Sequence, residues 1–202
     1  MTQPPSAALV LAAGEGKRYG GPKALVALDG ELLVDRAVRV AHEAGCAPVV
    51  VVLGAGASEV VRSAHLDNAI VVVNDDFATG MGSSLRCGLA ALRDQKAAAA
   101  VVLLVDQPDV SAETVRRLVD AWRLGARSAV ASYDGDPRNP VLLDATTWGD
   151  VSASAQGDVG ARGWLRAHAS DVQLVACDDL GSAVDIDTPA DLHRLQRMEE
   201  ST

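Results

Sequence analysis

The chain has 202 residues, 49% hydrophobic and 22% charged, enough for one domain with a substantial core and short for two. Its formal net charge of −9 argues against general binding to nucleic acid or to an anionic membrane, both of which need a basic surface, but leaves room for a small basic pocket. The longest apolar runs fall below the roughly 18 residues that suggest a membrane span. No basic residue precedes the first run, so a secretory leader is not expected. Cys46, Cys87 and Cys177 are far apart and odd in number, which gives neither a disulfide framework nor a metal knuckle. The expectation is a cytoplasmic protein, one domain over residues 1–197 with a disordered tail from Met198 to Thr202.

In chain order, short runs rich in Val, Ile, Leu and Ala mark strands at Ala8–Ala12, Val49–Leu53, Ile70–Val73, Val101–Val105, Ala129–Ser132 and Val172–Ala176. Most are continuous rather than alternating, so both faces should be covered, as in a parallel sheet. Helical stripes lie between them. Leu33, Ala37, Val40, Ala41 and Ala44 share one face, and Leu85, Gly88, Leu89 and Leu92 share another. Val115, Leu118, Val119 and Trp122 form a third stripe, behind Ser111 as N-cap and Glu113 in the first turn. Thr188 and Pro189 open a last helix with Asp191 in its first turn. Alternating strands and helices predict a three-layer α/β domain with a mostly parallel sheet. The stretch Tyr133–Asp158, rich in Gly, Asp, Pro and Ser, reads as a substrate-side excursion of that domain.

The first strand runs into Ala12-Ala13-Gly14-Glu15-Gly16-Lys17-Arg18-Tyr19-Gly20-Gly21-Pro22-Lys23. Four glycines permit tight turns and close backbone approach, and three cations supply charge, as a triphosphate requires. A tight turn with solvated basic side chains would look similar. The segment lacks G-x-x-x-x-G-K-[ST], so it is not a P-loop, and Tyr19 breaks a G-x-G-x-x-G dinucleotide fingerprint begun at Gly14 and Gly16. Asp106 follows a buried strand, where α/β proteins bind ligands in the crevice at strand ends. Asp185 and Asp187 alternate on an extended segment and so face the same way. One or two carboxylates suffice for magnesium held together with a nucleotide.

LAAGEGKRYGGPKAL resembles the L-A-A-G-x-x-x-R-x-G-x-x-K signature of the nucleotidyltransferases that join a nucleoside triphosphate to a phosphorylated acceptor. The resemblance implies a Rossmann-like nucleotidyltransferase fold and assigns Leu11, Ala12, Ala13, Gly14 and Gly16 to the nucleotide cradle. It gives Arg18 and Lys23 to the triphosphate as catalytic cations and leaves Lys17 as solvated surface. VDQPDV is similar to the family's G-D-Q-P-x-V, with Val105 in place of Gly. DIDTPADL is similar to its D-x-D-T-P-x-D-L ending. Asp106, also catalytic, and Asp187 are then the ligands of Mg2+ or Mn2+, with Asp185 in reserve. Thr79–Leu85 resembles a G-M-x-x-S-L stretch near the nucleotide, which offers Ser83 and Ser84 as binding residues.

Pro137–Leu143 resembles the G-x-x-x-N-P-V-L-[FL] motif of the molybdenum cofactor cytidylyltransferase branch, and Gly157–Arg162 its G-D-x-G-A-R. Asn139 and Arg162 are then expected to hold an anionic pterin phosphate, helped by Arg138 and Arg166. The activity implied is transfer of CMP from CTP to molybdopterin with release of pyrophosphate, the product passing to a molybdoenzyme or its chaperone. Three alternatives stand beside it: a molybdopterin guanylyltransferase, a deazaflavin-pathway guanylyltransferase, and a catalytically silent binding or chaperone-like module. The isoprenoid-pathway cytidylyltransferases are disfavoured, because their Asp-x-x-Arg-Pro is Asp106-Gln107-Pro108 here. His42, His65, His168 and His193 read as surface or structural residues.

Overall fold

A computed structural model describes residues 5–199. Strand β1 (Ala7–Ala12) is followed by a short hairpin of β2 (Ala27–Leu28) and β3 (Glu31–Leu32), then by helix α1 (Leu33–Glu43), β4 (Val49–Leu53), α2 (Ala57–Ser63), β5 (Ile70–Val73) and α3 (Met81–Asp94). The second half holds β6 (Ala99–Leu104), α4 (Ala112–Arg123), β7 (Ser128–Tyr133), β8 (Asp136–Asp144), α5 (Trp148–Ser154), α6 (Arg162–Ala167), β9 (Val172–Ala176) and α7 (Pro189–Glu199). Seven strands form one sheet in the order β5-β4-β1-β6-β8-β7-β9, and only the two pairings of β8 are antiparallel. The expected three-layer, mostly parallel architecture is therefore present.

The continuous apolar runs split their side chains between two cores, as pleating demands. Ala8, Val10 and Ala12 of β1 join the core that includes Val34, Val60 and Leu118 from α1, α2 and α4. Ala7, Leu9 and Leu11 join the opposite core with Leu85, Leu89 and Trp148 from α3 and α5. Gly88 lets α3 lie directly on the sheet, since a Cβ there would overlap Leu9.

Two segments depart from expectation. Part of the stretch read as an excursion is β8, a central strand between β6 and β7. Pro137 and Pro140 disguise it, but Val141 pairs with Val102 on one side and Val130 on the other, while the register with β7 jumps from Val130–Val141 to Ala131–Arg138. Asn139 and Pro140 sit in that irregularity, where the missing N–H of proline breaks no ladder bond. Helix α7 runs to Glu199, past the expected start of the tail at Met198. Residues 200–202 lie outside the described residues. Among the described residues no helix is long and apolar enough to cross a membrane.

Candidate active site

The loop after β1 is built around Gly16. Its φ of +59° lets its carbonyl accept from the N–H groups of Tyr19, Gly20 and Gly21 at 2.9, 2.8 and 3.3 Å. A Cβ at this position would overlap the Gly21 carbonyl oxygen. The N–H groups from Gly14 to Arg18 have no partner among the described residues, so the turn presents a row of free donors. Such a row forms an anion-binding concavity. Leu11, Ala12 and Ala13 are buried by side chain, and open space lies beside Gly14. Lys17 pairs with Glu15 at 2.8 Å and stays on the surface.

Two acidic segments meet beside this loop. The N–H of Ile186 donates to the carbonyl of Asp106 at 2.8 Å, and the Ile186 side chain is fully buried. With Ile186 anchored, the neighbouring Asp185 and Asp187 flank Asp106. Asp109 extends the seam, accepting from Ser182 Oγ at 2.6 Å. At the far end Thr188 and Asp191 form a capping pair, in which Asp191 Oδ2 accepts from the Thr188 N–H at 2.8 Å and from its hydroxyl at 2.7 Å. The same oxygen accepts from the Asp187 N–H at 3.3 Å, which fixes the backbone under that carboxylate.

Lys23 joins the two halves. Its ammonium donates to Asp106 Oδ2 at 2.8 Å and to Asp187 Oδ1 at 2.7 Å, and Arg18 reaches the same Asp187 oxygen at 2.9 Å. Desolvation pulls the Lys23 ammonium down, but its hydrogen bonds to Asp106 and Asp187 outweigh burial and hold it above the ordinary lysine value. The Lys23 hydrogen bond, with Arg18 adding charge, holds the Asp187 carboxyl below the usual carboxylate range. Partial desolvation and the nearby charges of Asp106 and Asp187 push Asp185 up, against the Gln107 amide that donates to it at 2.8 Å.

Asp106 and Asp187 fit a small divalent cation. Their oxygens converge on a single nitrogen at 2.8 and 2.7 Å, so both carboxylates can serve one small cation in its place. Among the described residues no group of three or more His, Cys, Asp or Glu side chains forms a ready-made metal cage. The ion's remaining ligands would then be phosphate and water, which is the usual manner of magnesium with nucleotides.

A cavity of about 630 Å3 opens on the α3 side of the sheet, a volume suited to a small-molecule ligand. Arg138 and Asn139 from β8 and Arg162 and Arg166 from α6 line it, so the residues expected at the acceptor share one chamber. Ser83 and Ser84, expected at the nucleotide, are engaged with the protein itself. Both hydroxyls are buried and accept from Asn74 Nδ2 at 2.8 and 3.0 Å, and Ser83 Oγ also donates to the carbonyls of Asp76 and Gly80. They lock the turn before α3, whose Gly80 and Gly82 lie against residues 155–158. Gln107, a cavity-wall residue and partner of Asp185, is a further site residue not expected from the sequence. Its place within Asp-Gln-Pro was the available signal.

Residues 8–172 match the family model described as a MobA-like NTP transferase domain. The chain is 41% identical over 194 residues to "Nicotine blue oxidoreductase" of Paenarthrobacter nicotinovorans, covering 93% of this chain and 94% of that protein. It is 40% identical over 133 residues to "Probable molybdenum cofactor guanylyltransferase" of Opitutus terrae, covering 64% of this chain and 61% of that one. Among solved structures, Rv0371c of Mycobacterium tuberculosis H37Rv superposes with a TM-score of 0.86 at 32% identity, covering 98% of this chain and all of the other. A complex of Rv0371c with manganese superposes with a TM-score of 0.81 at 30% identity, covering 96% of this chain and 98% of that one.

Proposed function

Since the chain belongs to the MobA-like NTP transferase family and is a nucleotidyltransferase, we propose that it transfers a nucleoside monophosphate to the phosphate of a molybdopterin-type acceptor. The observation that carries this reading is the convergence of Asp106, Asp187, Lys23 and Arg18 beside a loop of free N–H groups. The donor base is a finer matter. The guanylyltransferase name of the Opitutus terrae relative favours GTP, whereas the Ala13-Gly14 start and the Asn139-Pro140 and Gly160-Ala161-Arg162 motifs favour CTP. We take GTP as the reading better supported, because it comes with a named relative at 40% identity.

The acceptor phosphate is already an anionic nucleophile, so no general base is required. One of its oxygens bonds to the α-phosphorus as the bond to the β-phosphate oxygen breaks, and pyrophosphate leaves. The barrier is repulsion between anions and charge growth on the leaving group, so positioning and electrostatic stabilisation are the means available. The free N–H groups after Gly14 would cradle the phosphates. Lys23 and Arg18 would turn from the carboxylates to the triphosphate and neutralise the departing charge. Asp106 and Asp187 would hold Mg2+ or Mn2+, which when bound would supply Lewis-acid charge to the reacting phosphates. Arg162, Arg166 and Arg138, with Asn139, would seat the acceptor phosphate in the cavity.

The test is pyrophosphate release by the purified protein with each of the four triphosphates, Mg2+ and molybdopterin. Release with GTP alone is expected. Release with CTP alone reinstates cytidylyl transfer, and release with none leaves a silent binding module. The Paenarthrobacter relative carries an oxidoreductase's name, so a parallel arm measures NADH and NADPH oxidation. Turnover there, with no pyrophosphate in the main assay, replaces the transferase reading.

A further inference from the structure

We propose that Asp185, positioned by Gln107, reads the 2-amino-4-oxopyrimidine edge of a fused-ring heterocycle, the edge that pterin and guanine share. Asp106 and Asp187 share the Lys23 ammonium, and Asp187 takes Arg18 as well. Asp185 forms no ion pair among the described residues, although the Lys23 charge acts on it from a distance. Its one hydrogen bond among the described residues comes from Gln107 Nε2 at 2.8 Å, to Oδ1, and Oδ2 is left without a partner. Both residues line the cavity that carries the arginines.

Gln107 is only 7% exposed, and its Oε1 is buried without a hydrogen-bond partner. Orphaned buried oxygens are rare and unfavourable. The amide tolerates this one because its nitrogen is committed to holding Asp185 at the cavity wall. Gln107 is therefore a positioning residue and Asp185 the reader.

The rest of the chamber narrows the ligand. Leu11, Leu85, Val102 and Val130 give it an apolar lining suited to a flat ring, and its guanidinium groups are donors only. An ionised carboxylate accepts only, so it selects a ligand edge with two adjacent N–H donors. The 2-amino-4-oxopyrimidine edge supplies that pair from its ring N–H and its exocyclic amine. A cytosine edge offers the carboxylate one donor, its exocyclic amine, beside the acceptors N3 and O2, and so cannot supply the adjacent pair. The choice of ligand rests on the nucleotidyl-transfer reading, whereas the binding geometry does not.

The test measures binding to the full chain of four probes: pterin-6-carboxylate, its 2-oxo counterpart lumazine-6-carboxylate, GTP and ITP, which lacks the 2-amino group. Wild type, Asp185→Asn and Gln107→Leu are compared. Wild type is expected to prefer the amino-bearing member of one pair by about tenfold or more. Asp185→Asn should erase that preference and Gln107→Leu should weaken it, with thermal unfolding and Mn2+ affinity unchanged in both. Loss of the pterin-over-lumazine preference makes the acceptor the source of the edge, and loss of the GTP-over-ITP preference makes it the nucleotide. Preferences that are absent or unmoved in both variants overturn the proposal. So does weakened Mn2+ binding by Asp185→Asn with preferences intact, which would make Asp185 a metal ligand. Pyrophosphate release by wild type separates the two ideas: no release with a responsive preference sinks the transferase and keeps the subsite, and release with an unresponsive preference does the reverse.

Discussion

The N–H of Ile186 lies 2.8 Å from the carbonyl oxygen of Asp106, and this contact brings together acids 81 positions apart in the chain. The buried Ile186 side chain turns its two acidic neighbours toward Asp106, and Lys23 closes the group from the opposite segment. On the proposed function Lys23 occupies the place of the divalent cation, and the two would compete. Lys23→Met should lower transfer by about a hundredfold or more, through loss of the charge meant for the leaving group. Without nucleotide the same variant should bind Mn2+ more tightly than wild type, as read by electron paramagnetic resonance titration. Weaker Mn2+ binding by Lys23→Met would show that the ammonium and the ion do not share a place.

The pH dependence of stability follows from the same cluster. Asp187 has a folded-state value below its unfolded one, so its contribution is complete above about pH 5 and is lost as pH falls through the folded value. Lys23 is shifted the other way, so its contribution is complete below about pH 10 and is lost as pH rises through its folded value. Asp185, raised, acts against Asp187 on the acid side, and the difference between wild type and Asp187→Asn isolates the pair. That difference in Tm should be flat from about pH 6 to 9 and shrink below about pH 4. A difference that grows on acidification would contradict the pairing.

Gly16 is held at φ +59° with its Cα against the Gly21 carbonyl. Gly16→Ala adds a left-handed backbone cost of about 1–2 kcal/mol and forces the turn open. The free N–H groups of the turn are then displaced. Triphosphate affinity should fall by at least about tenfold while the global Tm drops by only a few degrees. Unchanged nucleotide affinity would remove the loop from the site.

Asp191 accepts from the N–H groups of both Thr188 and Asp187. Asp191→Ala removes the reciprocal half of the cap and should cost about 1 kcal/mol, or roughly 2–4 °C in Tm. Turnover should fall further than that loss implies, because the backbone beneath Asp187 is released. Activity that tracks the stability loss alone would confine Asp191 to capping α7.

Much of this arrangement is legible in the residues themselves. The continuous apolar strands forecast a sheet covered on both faces, and the Gly-rich loop, Asp106 and Asp187 were named from local pattern and resemblance. Strand β8 was hidden because Pro137, Asn139 and Pro140 carry loop chemistry, and only the irregular register with β7 accommodates them. The β2–β3 hairpin had its signal in Asp29-Gly30, both at positive φ, but its strands are two residues each and show no alternation to read. The bonding of Ser83 and Ser84 to Asn74, nine and ten positions earlier across a turn, is likewise not visible in the local pattern. The Gln107–Asp185 pairing spans 78 positions and depends on the Ile186 anchor, which no local pattern encodes.

The central claim is that Asp106 and Asp187 hold one divalent ion facing the loop of free N–H groups. Anomalous diffraction from crystals soaked with Mn2+ and a non-hydrolysable triphosphate tests it directly. The account predicts one manganese peak within about 2.3 Å of oxygens from both carboxylates and from the nucleotide, with Lys23 Nζ moved onto the phosphates. A peak elsewhere, or Lys23 still lying between the two acids with nucleotide bound, would contradict it.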